Sequence, residues 1–182
     1  HGAKVYMVIR DSTDGLREGK LLSCDRDEYC MNSGKIPLSQ LRRLKQRTKE
    51  VNKISKHISN DVYERMLIVH CDSRSTSERI DVFFYYFSKS PKGKSLANSL
   101  LKTFDGKYKF HQPGRGYRGT VTSRDGLYLI KKTRPPTVYV ELGNIQNLRD
   151  QIRFIEENNR QALANWLTEG IIRDHEKLMG GD

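Results

Sequence analysis

The feature that most constrains the fold is an alternation of short apolar segments with longer segments of helical periodicity. Residues 66–70 are apolar up to the last position, as in strands covered on both faces, and residues 137–142 form a second, β-branched segment. Around them, apolar residues recur at spacings of three, four or seven, as on one face of a helix. This order predicts an α/β fold, with a mostly parallel twisted sheet flanked by helices on both faces.

The element boundaries follow from the apolar periodicity and from the turn-forming residues that interrupt it. The predicted strands are residues 5–9, 66–70, 81–87, 127–130 and 137–142. The predicted helices are residues 38–58, 94–104 and 154–172. Irregular structure is predicted for residues 16–35, the glycine-rich residues 110–119 and residues 144–150.

Length and charge narrow the class of protein. The 182 residues are enough for one sizeable core, and no linker or repeat interrupts them, so one domain over residues 1–182 is expected. The formal net charge of +11 favours a polyanionic partner such as nucleic acid, anionic lipid or anionic wall polymer. No nucleic-acid-binding motif accompanies the charge, so nucleic acid is not expected. No segment approaches the roughly 18 apolar residues of a membrane span.

The three cysteines do not form a C-x-x-C pair, which argues against a zinc ribbon or a thioredoxin-type site. Cys24 and Cys30 fit either a short disulfide-closed loop in an oxidising compartment or two free thiols. Cys71 follows an apolar strand, which favours a small buried hydrophobic residue over a nucleophile.

Two titratable residues, His70 and Glu141, end apolar strands. In α/β sheets, reactive groups tend to lie just beyond the carboxyl ends of strands. His70 alone fits a hydrogen-bonded core histidine. Glu141 alone fits a buried ion pair with Arg134 or Lys131. Together, on adjacent strand ends, the two side chains fit a metal ligand and a general base.

A series of motifs extends along nearly the whole chain in a fixed order. They are His70-Cys-Asp-Ser73, Asp81-Val-Phe-Phe-Tyr-Tyr86, Ser95-Leu-Ala97, Leu127-Tyr-Leu-Ile130 and Pro136-Thr-Val-Tyr-Val-Glu-Leu-Gly143 with Asn147. In this order they resemble the type 3 zinc amidases of bacterial cell walls. The most specific motif is Val140-Glu-Leu-Gly143 with Asn147. The opening strand at residues 2–7 and the segment 161–171 resemble the family's second strand and last helix.

The resemblance implies an N-acetylmuramoyl-L-alanine amidase, which hydrolyses the amide bond between the lactyl group of N-acetylmuramic acid and L-alanine of the peptidoglycan stem peptide. It implies a Zn²⁺ ion held by two His and one Glu, with an open position for water. It places one ligand at His70 and the catalytic carboxylate at Glu141, which would move a proton from water to the leaving amine. It also implies an exported protein of the periplasm or cell envelope, and we expect a monomer.

The chain departs from the family pattern at its beginning. The family's other His and Glu ligands lie before the strand equivalent to residues 4–9, so they are expected upstream of residue 1, together with the first strand and first helix. The 182 residues alone are therefore expected to be inactive, and His1 is not expected to be a ligand. The alternative reading is a non-catalytic, peptidoglycan-binding pseudoamidase.

Substrate-binding residues are not singled out by any spacing. Arg115, Arg118 and Arg124 are candidates for binding the carboxylates of a stem peptide through paired hydrogen bonds. Residues 110–119 fit either a wall of the substrate groove, the reading we favour, or solvated surface. His111 fits either a substrate contact or, as we expect, an exposed loop residue.

Overall fold

The structure is a computed structural model that describes residues 2–11, 26–73 and 79–180. The chain divides into two compact units. The first comprises His1–Glu64 and Lys132–Pro135, and the second comprises Arg65–Lys131 and Pro136–Asp182. No helix in the described ranges is long and apolar enough to cross a membrane.

In the first unit, three short strands form a small antiparallel sheet, and one long helix follows them. The strands are β1 (Ile9–Arg10), β2 (Tyr29–Cys30) and β3 (Gly34–Lys35), in the spatial order β1-β2-β3. Helix α1 spans Gln40–Lys56, two residues shorter at each end than predicted. It buries a stripe that includes Val51 and Ser55 and exposes the opposite face.

In the second unit, four strands form the main sheet. They are β4 (Met66–Asp72), β5 (Phe83–Tyr86), β6 (Thr120–Ser123) and β7 (Thr137–Asn144), in the spatial order β4-β7-β5-β6. The β4–β7 and β5–β6 pairs are parallel, and the β5–β7 pair is antiparallel. The predicted α/β class, with a sheet flanked by helices, is confirmed.

Four helices accompany this sheet: α2 (Pro91–His111), α3 (Tyr128–Lys132), α4 (Leu148–Ile155) and α5 (Glu157–Leu178). Alternate residues of β5 and β7, such as Phe84 and Val140, pack on α2 and form the buried core. Gly170 lets α5 approach α2 closely, because a Cβ there would lie 2.6 Å from Leu100 Cδ2. Removing apolar side chains from water on this face supplies the main stabilisation of the unit.

The predicted strand at residues 127–130 is wrong, because these residues begin helix α3. The Lys131 N–H donates to the Leu127 carbonyl at 3.2 Å, which starts a helical turn. A four-residue apolar run does not distinguish a strand from a short buried helix by its period. The fourth strand of the sheet is instead β6, a Thr- and Ser-containing segment for which no strand was predicted.

Several other boundaries differ from the prediction. Of the predicted strand 5–9 only Ile9 lies in a strand, and Val5 and Met7 are exposed. Helix α2 continues to His111, so the predicted loop 110–119 begins inside a helix. The predicted turn 144–150 contains the end of β7 and the start of α4, and the predicted closing helix begins in α4 and continues as α5.

Candidate functional site

His70 and Glu141 lie side by side on adjacent parallel strands, β4 and β7, where the two residues are register partners. The His70 Nδ1 is 2.9 Å from the Glu141 Oε2. An ionised carboxylate only accepts hydrogen bonds, so Nδ1–H donates to it. The Glu141 side chain is 11% exposed, and the His70 side chain is 51% exposed. The pair predicted from strand ends 71 residues apart is therefore formed, with one member buried and one open to solvent.

Aromatic rings surround this pair on the same face of the sheet. The His70 ring centroid lies 5.3 Å from that of Tyr139, and the Tyr139 centroid lies 6.5 Å from that of Tyr85. Because β5 is antiparallel to β7, the first residue of β5, Phe83, is the register partner of Glu141. The Glu141 side chain on this face is only 11% exposed, and electrostatic interactions are stronger away from water.

The β4 strand is irregular next to His70, where the β4–β7 register shifts before Asp72. Burial and, second, the charge of Glu141 raise the pKa of the Cys71 thiol. A thiol with a raised pKa is protonated at neutral pH and is a poor nucleophile. This agrees with the reading of Cys71 as a small packing residue.

The atoms that His70 and Glu141 can offer to a cation show how far this pair fits the Zn²⁺ ion that the resemblance implies. With Nδ1 bonded to Glu141, the His70 Nε2 is the ring nitrogen left to bind a cation. Structural and catalytic zinc sites need at least three protein ligands. Within residues 2–11, 26–73 and 79–180, no three His, Cys, Asp or Glu side chains form such a group. His70 thus fits one ligand position, and the described residues do not complete a zinc site.

A buried carboxylate fixes the backbone just beyond the candidate base. Asp150 is fully buried, and its Oδ2 accepts hydrogen bonds from the Asn144 and Ile80 N–H groups, both at 3.0 Å. Its Oδ1 accepts from Arg153 Nη2 at 2.9 Å, and Arg79 Nε lies 3.6 Å away. One side chain therefore ties the end of β7 to the segment that enters β5.

The most specific motif also has a structural explanation. A Cβ at Gly143 would lie 2.9 Å from the Phe154 ring and 3.3 Å from Asp150 Cβ, so only glycine lets α4 approach this close. Asn147 is the N-cap of α4, and its side chain accepts hydrogen bonds from the Arg149 and Asp150 N–H groups. Both residues therefore position the chain that follows Glu141.

The glycine-rich loop is fixed to the sheet by a second buried carboxylate. Asp81 pairs with the Arg115 guanidinium through Oδ1 and accepts the Arg118 N–H through Oδ2 at 2.7 Å. The Tyr117 hydroxyl donates to the Val82 carbonyl at 3.0 Å, and burial is the first cause that raises the pKa of Tyr117. These contacts connect the loop to the residues that enter β5.

The three candidate substrate-binding arginines have different environments. Arg115 is engaged by Asp81, so binding a substrate carboxylate would compete with a buried ion pair. Arg118 is exposed. Arg124 lies over the Tyr85 ring, with its Cζ 5.0 Å from the centroid. That these arginines bind substrate stays a prediction.

His111 ends helix α2 and stacks on Trp166, with 5.8 Å between the centroids, so it packs on the helical layer while remaining exposed. His1 and Cys24 lie outside the described residues. The Cys24–Cys30 pairing therefore stays a prediction. Asp81, Asp150 and Arg153 were not singled out by the sequence patterns. The only sequence signal for them is a charged residue next to an apolar segment.

Residues 26–173 match the family model described as N-acetylmuramoyl-L-alanine amidase. This match covers most of the 182 residues, and the chain belongs to the type 3 N-acetylmuramoyl-L-alanine amidase family. A comparison with curated proteins finds no match.

Several solved structures share the fold. The CwlD amidase of Clostridioides difficile, in complex with the GerS lipoprotein, has a TM-score of 0.58 and 18% identity over 76% of this chain and 66% of that chain. The catalytic domain of CwlV, an N-acetylmuramoyl-L-alanine amidase of Bacillus (Paenibacillus) polymyxa var. colistinus, has a TM-score of 0.53 and 21% identity, again over 76% of this chain and 66% of that chain. The apo form of Ami1, an N-acetylmuramyl-L-alanine amidase of Mycobacterium abscessus, has a TM-score of 0.57 and 18% identity over 72% of this chain and 60% of that chain. This chain thus spans just under two thirds of the CwlD and CwlV chains and less of Ami1.

Proposed function

We propose that this chain acts in peptidoglycan hydrolysis, as part of a zinc-dependent N-acetylmuramoyl-L-alanine amidase of the cell envelope. The bond that it would hydrolyse joins the lactyl carbonyl of N-acetylmuramic acid to the amine of L-alanine. Family membership supports this reaction class. The observation that carries the proposal for this chain is the contact between His70 and the buried Glu141 on adjacent parallel strands.

Glu141 is the general base and then the general acid of the proposed reaction. Its carboxylate accepts a proton from the water whose oxygen bonds to the lactyl carbonyl carbon, and it returns that proton to the nitrogen as the carbon–nitrogen bond breaks. The carboxylate suits this role because it is mostly buried and is oriented by His70 Nδ1. Positioned proton transfer of this kind contributes roughly 10²- to 10⁴-fold to a rate.

His70 is the proposed metal ligand, through Nε2. A bound Zn²⁺ would lower the pKa of water and polarise the carbonyl. The Glu141 carboxylate would then accept the hydrogen bond from His70 Nδ1 and so fix the orientation of the imidazole ring that binds the ion. The proposal requires the remaining ligands to come from outside the described residues, in line with the sequence expectation of one His and one Glu.

The test uses the full encoded protein and the 182-residue chain, each measured for zinc content and for release of peptides with an L-alanine amino terminus from purified peptidoglycan. For the full protein, we expect bound zinc and peptide release. Glu141→Gln should keep zinc and lower the rate by roughly 10²- to 10⁴-fold. His70→Ala should lower zinc affinity. The exposed residues Glu176 and His57 provide matched controls, and Glu176→Gln and His57→Ala should change neither property.

Two outcomes would contradict the proposal. One is a full protein that binds no zinc and releases no peptide but still sediments with peptidoglycan, which would favour the non-catalytic pseudoamidase. The other is peptide release that Glu141→Gln leaves unchanged, because the proton transfer would then belong to another group.

A further inference from the structure

Helix α1 in the first unit is strongly basic, and its exposed cations lie on one face. Its basic residues are Arg42, Arg43, Lys45, Arg47, Lys49, Lys53 and Lys56. Its one acidic residue, Glu50, is only 4% exposed. The helix therefore presents positive charge without an exposed carboxylate of its own.

Five of these cations are exposed and form what we call the basic stripe: Arg42, Lys45, Lys49, Lys53 and Lys56. At 100° per residue they lie within about 80° of the helix circumference, along about 21 Å of its length. The face that packs on the unit carries Val51 and Ser55 and points the opposite way. All five charges can therefore meet one flat surface at the same time.

Two exposed leucines adjoin one end of the basic stripe. Leu38, just before the helix, is 82% exposed, and Leu41, in its first turn, is 51% exposed. Leu41 lies about 40° from the edge of the stripe. A linear polyanion such as nucleic acid or polyphosphate has no apolar phase for these side chains, whereas the headgroup region of a bilayer accepts them.

We propose that the basic stripe, with Leu38 and Leu41, binds an anionic lipid surface and holds this unit flat on a membrane without crossing it. The cations meet the negative headgroups, and the leucines enter the boundary with the acyl chains. Each cation near such a surface contributes a factor of about five in affinity. The stripe includes neither His70 nor Glu141, so this proposal does not depend on the proposed hydrolysis.

The test measures partition of the full protein onto vesicles of mixed phosphatidylglycerol and phosphatidylcholine and onto vesicles of phosphatidylcholine alone. We expect binding only to the anionic vesicles, and weaker binding as ionic strength rises. Replacing Lys45, Lys49 and Lys53 together by Gln should reduce partition on the order of 100-fold. Gln has a helix propensity close to that of Lys, so α1 should persist, as circular dichroism would verify.

The matched control removes three exposed lysines from α2 in the second unit, Lys92, Lys94 and Lys102, also by Gln. It lowers the net charge equally and should reduce partition by less than about threefold. Leu38→Ser with Leu41→Ser should reduce vesicle partition about tenfold and leave binding to soluble polyphosphate unchanged.

Three results would overturn the proposal. Equal losses for the two triple-Gln variants would mean that only net charge matters. No loss for the leucine variant, with tighter binding to polyphosphate or duplex DNA than to vesicles, would assign the stripe to a linear polyanion. No binding to any of these probes would leave the stripe a solvated helix face.

Discussion

Replacing Asp150 by Ala should strongly destabilise the second unit. The substitution leaves the Asn144 and Ile80 N–H groups without their carboxylate acceptor and the mostly buried Arg153 without its counter-charge. Breaking a buried ion pair from one side costs about 3–5 kcal/mol. A domain is stable by roughly 5–15 kcal/mol, so a large share of the stability would be lost.

The assay is urea and thermal unfolding followed by the fluorescence of Trp166, the single tryptophan, which packs on Phe104 in the second unit. A loss of about 4 kcal/mol corresponds to roughly 8–16 °C in Tm for a chain of this size. The control is Asp125→Ala, because Asp125 is exposed and bonds only Ser88 among the contacts described for it. That change should cost less than about 1 kcal/mol.

A double substitution separates the ion pair from the hydrogen bonds. Asp150→Ala with Arg153→Leu removes both charges and should be less destabilised than the sum of the two single variants. If Asp150→Ala costs no more than Asp125→Ala, then the carboxylate does not hold the end of β7, and the structural account of this segment is wrong.

Three further predictions concern the same unit. Gly170→Ala should destabilise by about 1–3 kcal/mol in urea, because its Cβ would clash with Leu100, and an unchanged midpoint would contradict the close α2–α5 approach. Asn147→Ala should cost about 0.5–2 kcal/mol by the same assay through loss of the α4 N-cap. The raised pKa of Cys71 means that its alkylation by iodoacetamide, followed by peptide mass spectrometry, should be slow at neutral pH and accelerate only as pH rises through that raised value. Glu141→Gln removes one cause of the shift, so it should speed alkylation at a fixed alkaline pH, and an unchanged rate would contradict the proximity of the two groups.

The parts of the fold that local sequence patterns predicted are those with a strong period or a continuous apolar run. Strands β4 and β7 and helix α1 are of this kind. Strand β6 is mostly exposed and rich in Thr and Ser, so it carries no burial pattern. The antiparallel direction of β5 next to β7 depends on tertiary packing, and no local pattern encodes it.

The residues of the candidate site also divide into those that local sequence patterns predicted and those that they did not. His70 and Glu141 were predicted because each is a titratable residue at the end of an apolar strand. Asp81, Asp150 and Arg153 were not, because a buried charge has the same local signature as a surface charge until its partner is known. Asp81 pairs with Arg115, which lies far along the chain, and Asp150 pairs with Arg153, one helical turn away.

The position of β7 between β4 and β5 has a consequence during protein synthesis. Strand β7, one of the two interior strands, is the last of the four described strands to leave the ribosome, since residues 137–144 follow the other three. Until then, among the strands that the structure describes, β4 lacks the partner with which it pairs, and β5 and β6 form only a two-stranded ribbon. The two edges that β7 later occupies are meanwhile open to other chains. A nascent chain that stalls before residue 137 therefore exposes two unpaired edges, and completing one eight-residue segment closes both.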